Sequence, residues 1–86
     1  MLLLKDAIKQ RLENLMYDKN IKSKYELACE AGLNPSLITD FFNDRTKYPK
    51  IDTLFLICEG MNITLCDFFN DSLFEIENIV IEKDSK

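Results

Sequence analysis

The chain has 86 residues, 47% of them hydrophobic, and a net charge of −4. That length suffices for one domain with a small core, and two glycines with two prolines leave little room for long loops. There is no histidine and no Gly-rich phosphate loop, so an enzyme reading finds no general base and no nucleotide cradle.

Leu4, Ile8, Leu12 and Leu15 recur every three or four residues. They predict a first helix over about residues 3–18, with Lys5, Lys9 and Arg11 off its apolar stripe. The opening MLLLKDAIK has too short an apolar run for a signal peptide, and no segment is long enough to span a membrane. Asp18, Lys19 and Asn20 form a connection, after which Ile21 tucks under the core.

Residues 23–43, SKYELACEAGLNPSLITDFFN, read as helix, glycine turn, helix. Ser23 and Glu26 are spaced as a capping box. Gly32 stands where a left-handed C-terminal cap is expected. Asn34 followed by Pro35 restarts the chain as a cap and a first helical residue. Ile38, Phe41 and Phe42 then fall on one buried face, and Ala28 lets the two helices approach. This is helix-turn-helix spacing, in which the second helix reads the major groove.

A polar loop, DRTKYPK, runs from Asp44 to Lys50. Asp52 is expected to cap a fourth helix with Leu54, Ile57, Cys58 and Met61 inside, ended by Gly60 and Asn62. Thr64 with Asp67 starts a short fifth helix, with Leu65, Phe68 and Phe69 facing in. In the tail, Ser72 and Glu75 suggest another capped helix, while Ile79-Val80-Ile81 favours strand on propensity; helix is the expectation taken here. Lys83 to Lys86 are expected to fray. Residues 1–70 would thus form the helix-turn-helix domain, and 71–86 a C-terminal extension that could serve dimerisation. Cys29, Cys58 and Cys66 each lie in a helical pattern, without the clustering of a disulfide framework or metal site. They are expected to be reduced, buried structural thiols, which suits the cytoplasm.

Residues 1–50 carry nine Lys or Arg against seven Asp or Glu; residues 51–86 carry two against eight. The positive balance therefore falls on the half with the motif, softening the objection that an acidic chain is a poor nucleic-acid binder.

Three pieces in order, YELACEAGLNPSLITDFFN, the basic loop ending in Pro49, and IDTLFLICEGMNITLCDFF, resemble the Xre-type phage-repressor family, with the fold of lambda repressor and Cro. The resemblance covers about residues 4–70. It implies a compact all-α, five-helix DNA-binding domain acting as a transcriptional regulator, a repressor, on double-stranded DNA with a palindromic operator. It assigns base contacts to Asn34, Pro35, Ser36, Thr39 and Asp40. It assigns phosphate contacts to Ser23, Lys24, Arg45, Thr46, Lys47 and Tyr48. The chain departs from the family at Asp40, where relatives often carry a basic or amide residue, and at Asp44, where glycine is common. Asp40 either accepts a hydrogen bond from a cytosine amino group or is merely solvated and paired with a base such as Lys47.

Phe55 and Leu56 lie beside an already filled core stripe, and Phe74, Ile76 and Ile79 add further apolar surface. Either they cover the core, or they join two copies in the homodimer that the family's paired half-sites require. No cofactor, metal or small-molecule site is expected. The alternative to DNA binding is a protein-interaction module on the same fold, its DNA surface vestigial, with the acidic half, Phe55, Leu56 and Phe74 binding a partner.

Overall fold

The structure, a computed structural model, describes residues 2–81. Strand β1 (Leu2–Leu3) leads into helices α1 (Leu4–Asp18), α2 (Lys24–Ala31), α3 (Pro35–Phe42), α4 (Ile51–Gly60) and α5 (Leu65–Phe69); strand β2 (Ile79–Val80) closes the described chain. Helices of eight residues such as α2 and α3 are marginal alone, because nucleation is costly and few bonds repay it. Their shared core holds them. Ile8, Leu12, Leu15 and Met16 of α1, Leu27, Ala28 and Ala31 of α2, Ile38 and Phe41 of α3, Leu54, Ile57 and Cys58 of α4, Met61, and Phe68 of α5 form one buried cluster. Burying each large aliphatic or aromatic side chain contributes about 1.5–3 kcal/mol.

The local signals are realised as bonds. The Ser23 hydroxyl accepts the Glu26 amide at 3.0 Å, and the Asn34 side chain accepts the Ser36 amide at 3.0 Å. Thr64 does the same for Asp67 at 3.0 Å. Gly32 takes φ 69°, and its amide and that of Leu33 close on Cys29 and Ala28 carbonyls. Ile21 packs beneath the core as expected.

Three expectations change, and one, the end of α4 at Gly60, holds with a second reason. Helix α4 begins at Ile51 after Lys50, one residue before Asp52, whose carboxylate instead accepts the Thr53 amide at 2.8 Å inside the first turn. Gly60 is the last residue of α4, but its role is proximity: a Cβ there would meet the Glu30 and Ala31 backbone at 2.8 Å. Only Cys58 of the cysteines is buried; Cys29 and Cys66 are exposed. Phe69 keeps an exposed edge while its ring contacts Phe68 and Phe74.

The tail is the largest correction. Two short 3-10 turns, Ser72–Phe74 and Ile76–Asn78, replace the expected helix, separated by extended backbone at Glu75 (ψ 145°). Ile79 and Val80 then pair in parallel with Leu2 and Leu3. The β-branched run obeys its strand propensity because an open partner edge lies within reach. A parallel pair needs a long crossover, and here the five helices are that crossover. The expected fraying of Lys83 to Lys86 falls outside the described residues.

Candidate nucleic-acid interface

Helix α3 presents its opposite faces to different surroundings. Ile38 and Phe41 are buried against the other helices. Ser36, Thr39 and Asp40 lie on the outward side, exposed or half-exposed. Asn43, exposed at the end of the helix, follows Ser36 and Asp40 at intervals of four and three residues, which places it on the same face. Asn43 is not among the residues expected from the sequence, although its spacing from Ser36 and Asp40 marks it there.

The helix start is tightly ordered. Ser36 donates through both its amide (3.0 Å) and its hydroxyl (3.1 Å) to the Asn34 side-chain oxygen. Pro35 opens the helix half-buried, and the Thr39 hydroxyl donates back to the Pro35 carbonyl at 2.7 Å. With that hydroxyl hydrogen engaged, Thr39 has its methyl group and oxygen lone pairs left for an outside contact. Asp40 pairs with Arg45 (3.3 Å), the role the sequence reading gave to Lys47.

Cationic and polar groups flank this face. On one side Ser23 caps α2, and the ammonium of Lys24 sits 4.6 Å from the Phe42 ring centroid. That cation–π contact steadies Lys24 beside a helix N-terminus, where free amides and the helix dipole favour an anion. On the other side the loop after α3 folds back: the Arg45 and Thr46 amides both donate to the Asp40 carbonyl, at 2.8 and 3.3 Å. Arg45, Thr46 and Lys47 are exposed, whereas Tyr48 is half-buried and packs on the core.

Asp44 begins that loop with φ 62°, the left-handed region in which glycine is cheapest. Its carboxylate accepts a hydrogen bond from Lys9 and lies 3.9 Å from Lys5. The Lys9 hydrogen bond, aided by the charges of Lys9 and Lys5, holds the Asp44 carboxyl below its ordinary value of 3.8 against a smaller effect of desolvation.

Of the residues expected to join two copies, Phe55, Leu56 and Ile76 are exposed, Ile76 at 91%. Phe74 is half-buried with its ring tilted against Phe68 and edge-on to Phe69, and Ile79 is half-buried in β2. Ile51, exposed at 66% one turn before Phe55, belongs to the same apolar face of α4.

Residues 11–72 match the family model of the Cro/C1-type HTH DNA-binding domain. The chain belongs to the Cro/C1-type helix-turn-helix family. This Cro/C1-type chain is also similar to a solved structure described as the crystal structure of the prophage Lp1 protein 11. The two are 28% identical with a TM-score of 0.74, the match covering 86% of this chain and 96% of the other. No curated protein matches it. The family assigns DNA binding and transcription regulation to the fold; among the described residues of this Cro/C1-type chain, no helix is long and apolar enough to cross a membrane.

Proposed function

We propose that the protein is a sequence-specific repressor that binds a palindromic operator in double-stranded DNA as a homodimer in the cytoplasm. One observation carries the reading: Ser36, Thr39, Asp40 and Asn43 put polar groups on the outward side of α3, where Leu37 is also exposed, and two cations meet that helix, Lys24 at Phe42 and Arg45 at Asp40. In this reading α3 lies in the major groove. Asn34, Ser36, Thr39, Asp40 and Asn43 approach base edges, with Pro35 shaping the helix start. Ser23, Lys24, Arg45, Thr46 and Lys47 hold the sugar–phosphate backbone, while Tyr48 supports the loop from below. Phosphate contacts supply affinity and salt dependence; the α3 face supplies sequence preference.

The exposed Ile51, Phe55 and Leu56 of α4 support the pairing of two copies, since a contiguous apolar face is costly in water. Their half of the chain is the acidic one, so an interface there keeps negative charge away from DNA. Two reading helices then lie about 34 Å apart, one turn of duplex.

The test is selection of random duplexes on purified protein followed by sequencing. A palindromic enriched site is expected, with affinity that falls steeply with salt. Replacing Arg45 and Lys47 by Ala should weaken binding to every sequence and flatten the log–log salt slope by about one unit per lost phosphate contact. Absence of duplex binding at low salt rejects the reading in favour of a protein-interaction module. Phe55→Glu should give folded monomers in sedimentation at micromolar concentration; a monomeric wild type rejects the dimer.

A further inference from the structure

Asp44 is the one acid that the loop after α3 carries between two of its expected phosphate contacts and the reading helix. Coulomb's law alone makes it a liability beside a polyanion. Its surroundings argue otherwise. The residue occupies a left-handed conformation, φ 62°, which Asp adopts more readily than most side-chain-bearing residues, and a partner for its carboxylate helps to hold it there. Lys9 of α1 does so through its ammonium. Lys9 is itself constrained: its side chain is only 15% exposed, and its ammonium lies 5.8 Å from the Phe41 ring centroid. Lys5 adds a second positive charge at 3.9 Å. The next two amides, of Arg45 and Thr46, are already turned back onto the Asp40 carbonyl. The carboxylate therefore ties the loop to the first helix, whose Lys9 also lies against Phe41 of the reading helix, and the trio Lys5, Lys9 and Asp44 keeps a net positive charge.

We propose that Asp44 is a positioning residue for DNA binding: anchored by Lys9, it sets the loop in the form that offers Arg45 and Thr46 to the phosphate backbone, so this acid strengthens binding. The proposal rests on the DNA-binding reading above. Simple repulsion predicts the opposite sign, because removing the acid would tighten binding and release Lys5 and Lys9.

The experiment uses the full chain and the duplex enriched by selection. Asp44→Asn retains tolerance for the left-handed conformation and removes only the charge. Lys9→Met removes the anchor and keeps the acid; Lys9→Arg keeps both. Circular dichroism and urea unfolding establish that each variant folds. Asp44→Asn and Lys9→Met should each weaken binding about two- to fivefold, as expected for an ion pair near the upper end of surface pairs. Combined, they should weaken it no further than one alone, because they break one interaction. The salt slope should flatten by about one unit as the Arg45 contact is lost, and Lys9→Arg should bind as wild type. In the free protein, amide exchange of Arg45 and Thr46 should accelerate in Asp44→Asn and Lys9→Met. Tighter binding by Asp44→Asn, or exchange and affinity unchanged in both variants, overturns the proposal. A wild type that binds no duplex overturns the DNA reading and with it the purpose given to the loop; amide exchange, read without DNA, separates that outcome from failure of the Lys9 anchor.

Discussion

Gly60 lies against the backbone of Ala31, so closely that a Cβ on the glycine would stand 2.8 Å from the Ala31 nitrogen. The contact brings the end of α4 onto the end of α2, and so fixes the platform on which the helix-turn-helix sits. Gly60→Ala gains helix propensity of about 1 kcal/mol, but the obstacle is backbone and cannot rotate away. A net loss of about 1–3 kcal/mol is expected from overpacking, measured by urea unfolding. Gly32→Ala meets no atom within 4 Å and should cost about 1–2 kcal/mol for its left-handed backbone alone. A stabilised Gly60→Ala would show that the crossing has slack.

Arg11 ties α1 to the far end of the domain. Its guanidinium donates to the carbonyls of Phe68 (2.7 Å) and Asp67 (2.8 Å) and to the Asp71 carboxylate (3.1 Å). The two carbonyls belong to the last turn of α5; that of Asp67 also accepts the Asn70 amide at 3.2 Å. Arg11→Met should destabilise by about 1.5–3 kcal/mol, the range for hydrogen bonds to charged groups. Arg11→Lys should recover little, since an ammonium lacks the planar fork that reaches three acceptors. Thermal unfolding of both variants checks the order.

The cysteines should separate by reactivity. Burial pushes the Cys58 thiol up to about 11 from an ordinary 9.0, and it lies inside the core, whereas Cys29 and Cys66 are exposed. A chromogenic disulfide reagent should titrate the two exposed thiols of the native protein promptly and the third only on unfolding. Because the unfolded thiol ionises first, stability should decline as pH rises from about 9 towards 11, and that component should vanish in Cys58→Ala. Prompt reaction of all three thiols would mean that the α4 core opens readily.

Asp40→Asn should leave the fold intact, since the side chain is partly exposed and its partner Arg45 is exposed. The enriched operator should change at one or two positions per half-site, because an amide donates as well as accepts. A base contact is worth about 1–3 kcal/mol of discrimination. The same operator bound more tightly would mark Asp40 as a repulsive bystander that only partners Arg45.

The features legible in the sequence are those made within a turn of the chain. Ser23, Asn34 and Thr64 bond amides two or three residues away, and Gly32 answers a local need for φ 69°. Such interactions depend on near neighbours alone, and with the apolar periodicity of α1, α3 and α4 they determine the helix-turn-helix and its outward polar face. The tertiary structure decided the rest. Lys9 and Asp44 lie 35 residues apart, and Arg11 and Asp71 lie 60 apart. Either acid has many possible cationic partners until the packed helices bring one within reach. Leu3 reads as the first residue of a helix, and 79–80 as helix against their strand propensity, until the fold sets 2–3 and 79–80 side by side. Phe74 read as surface because its stripe gave no sign that Phe68 and Phe69 would receive it. Gly60 read as a stop signal because the chain alone does not reveal which backbone will pass over a glycine; that depends on the crossing of two helices, a property of the packed core.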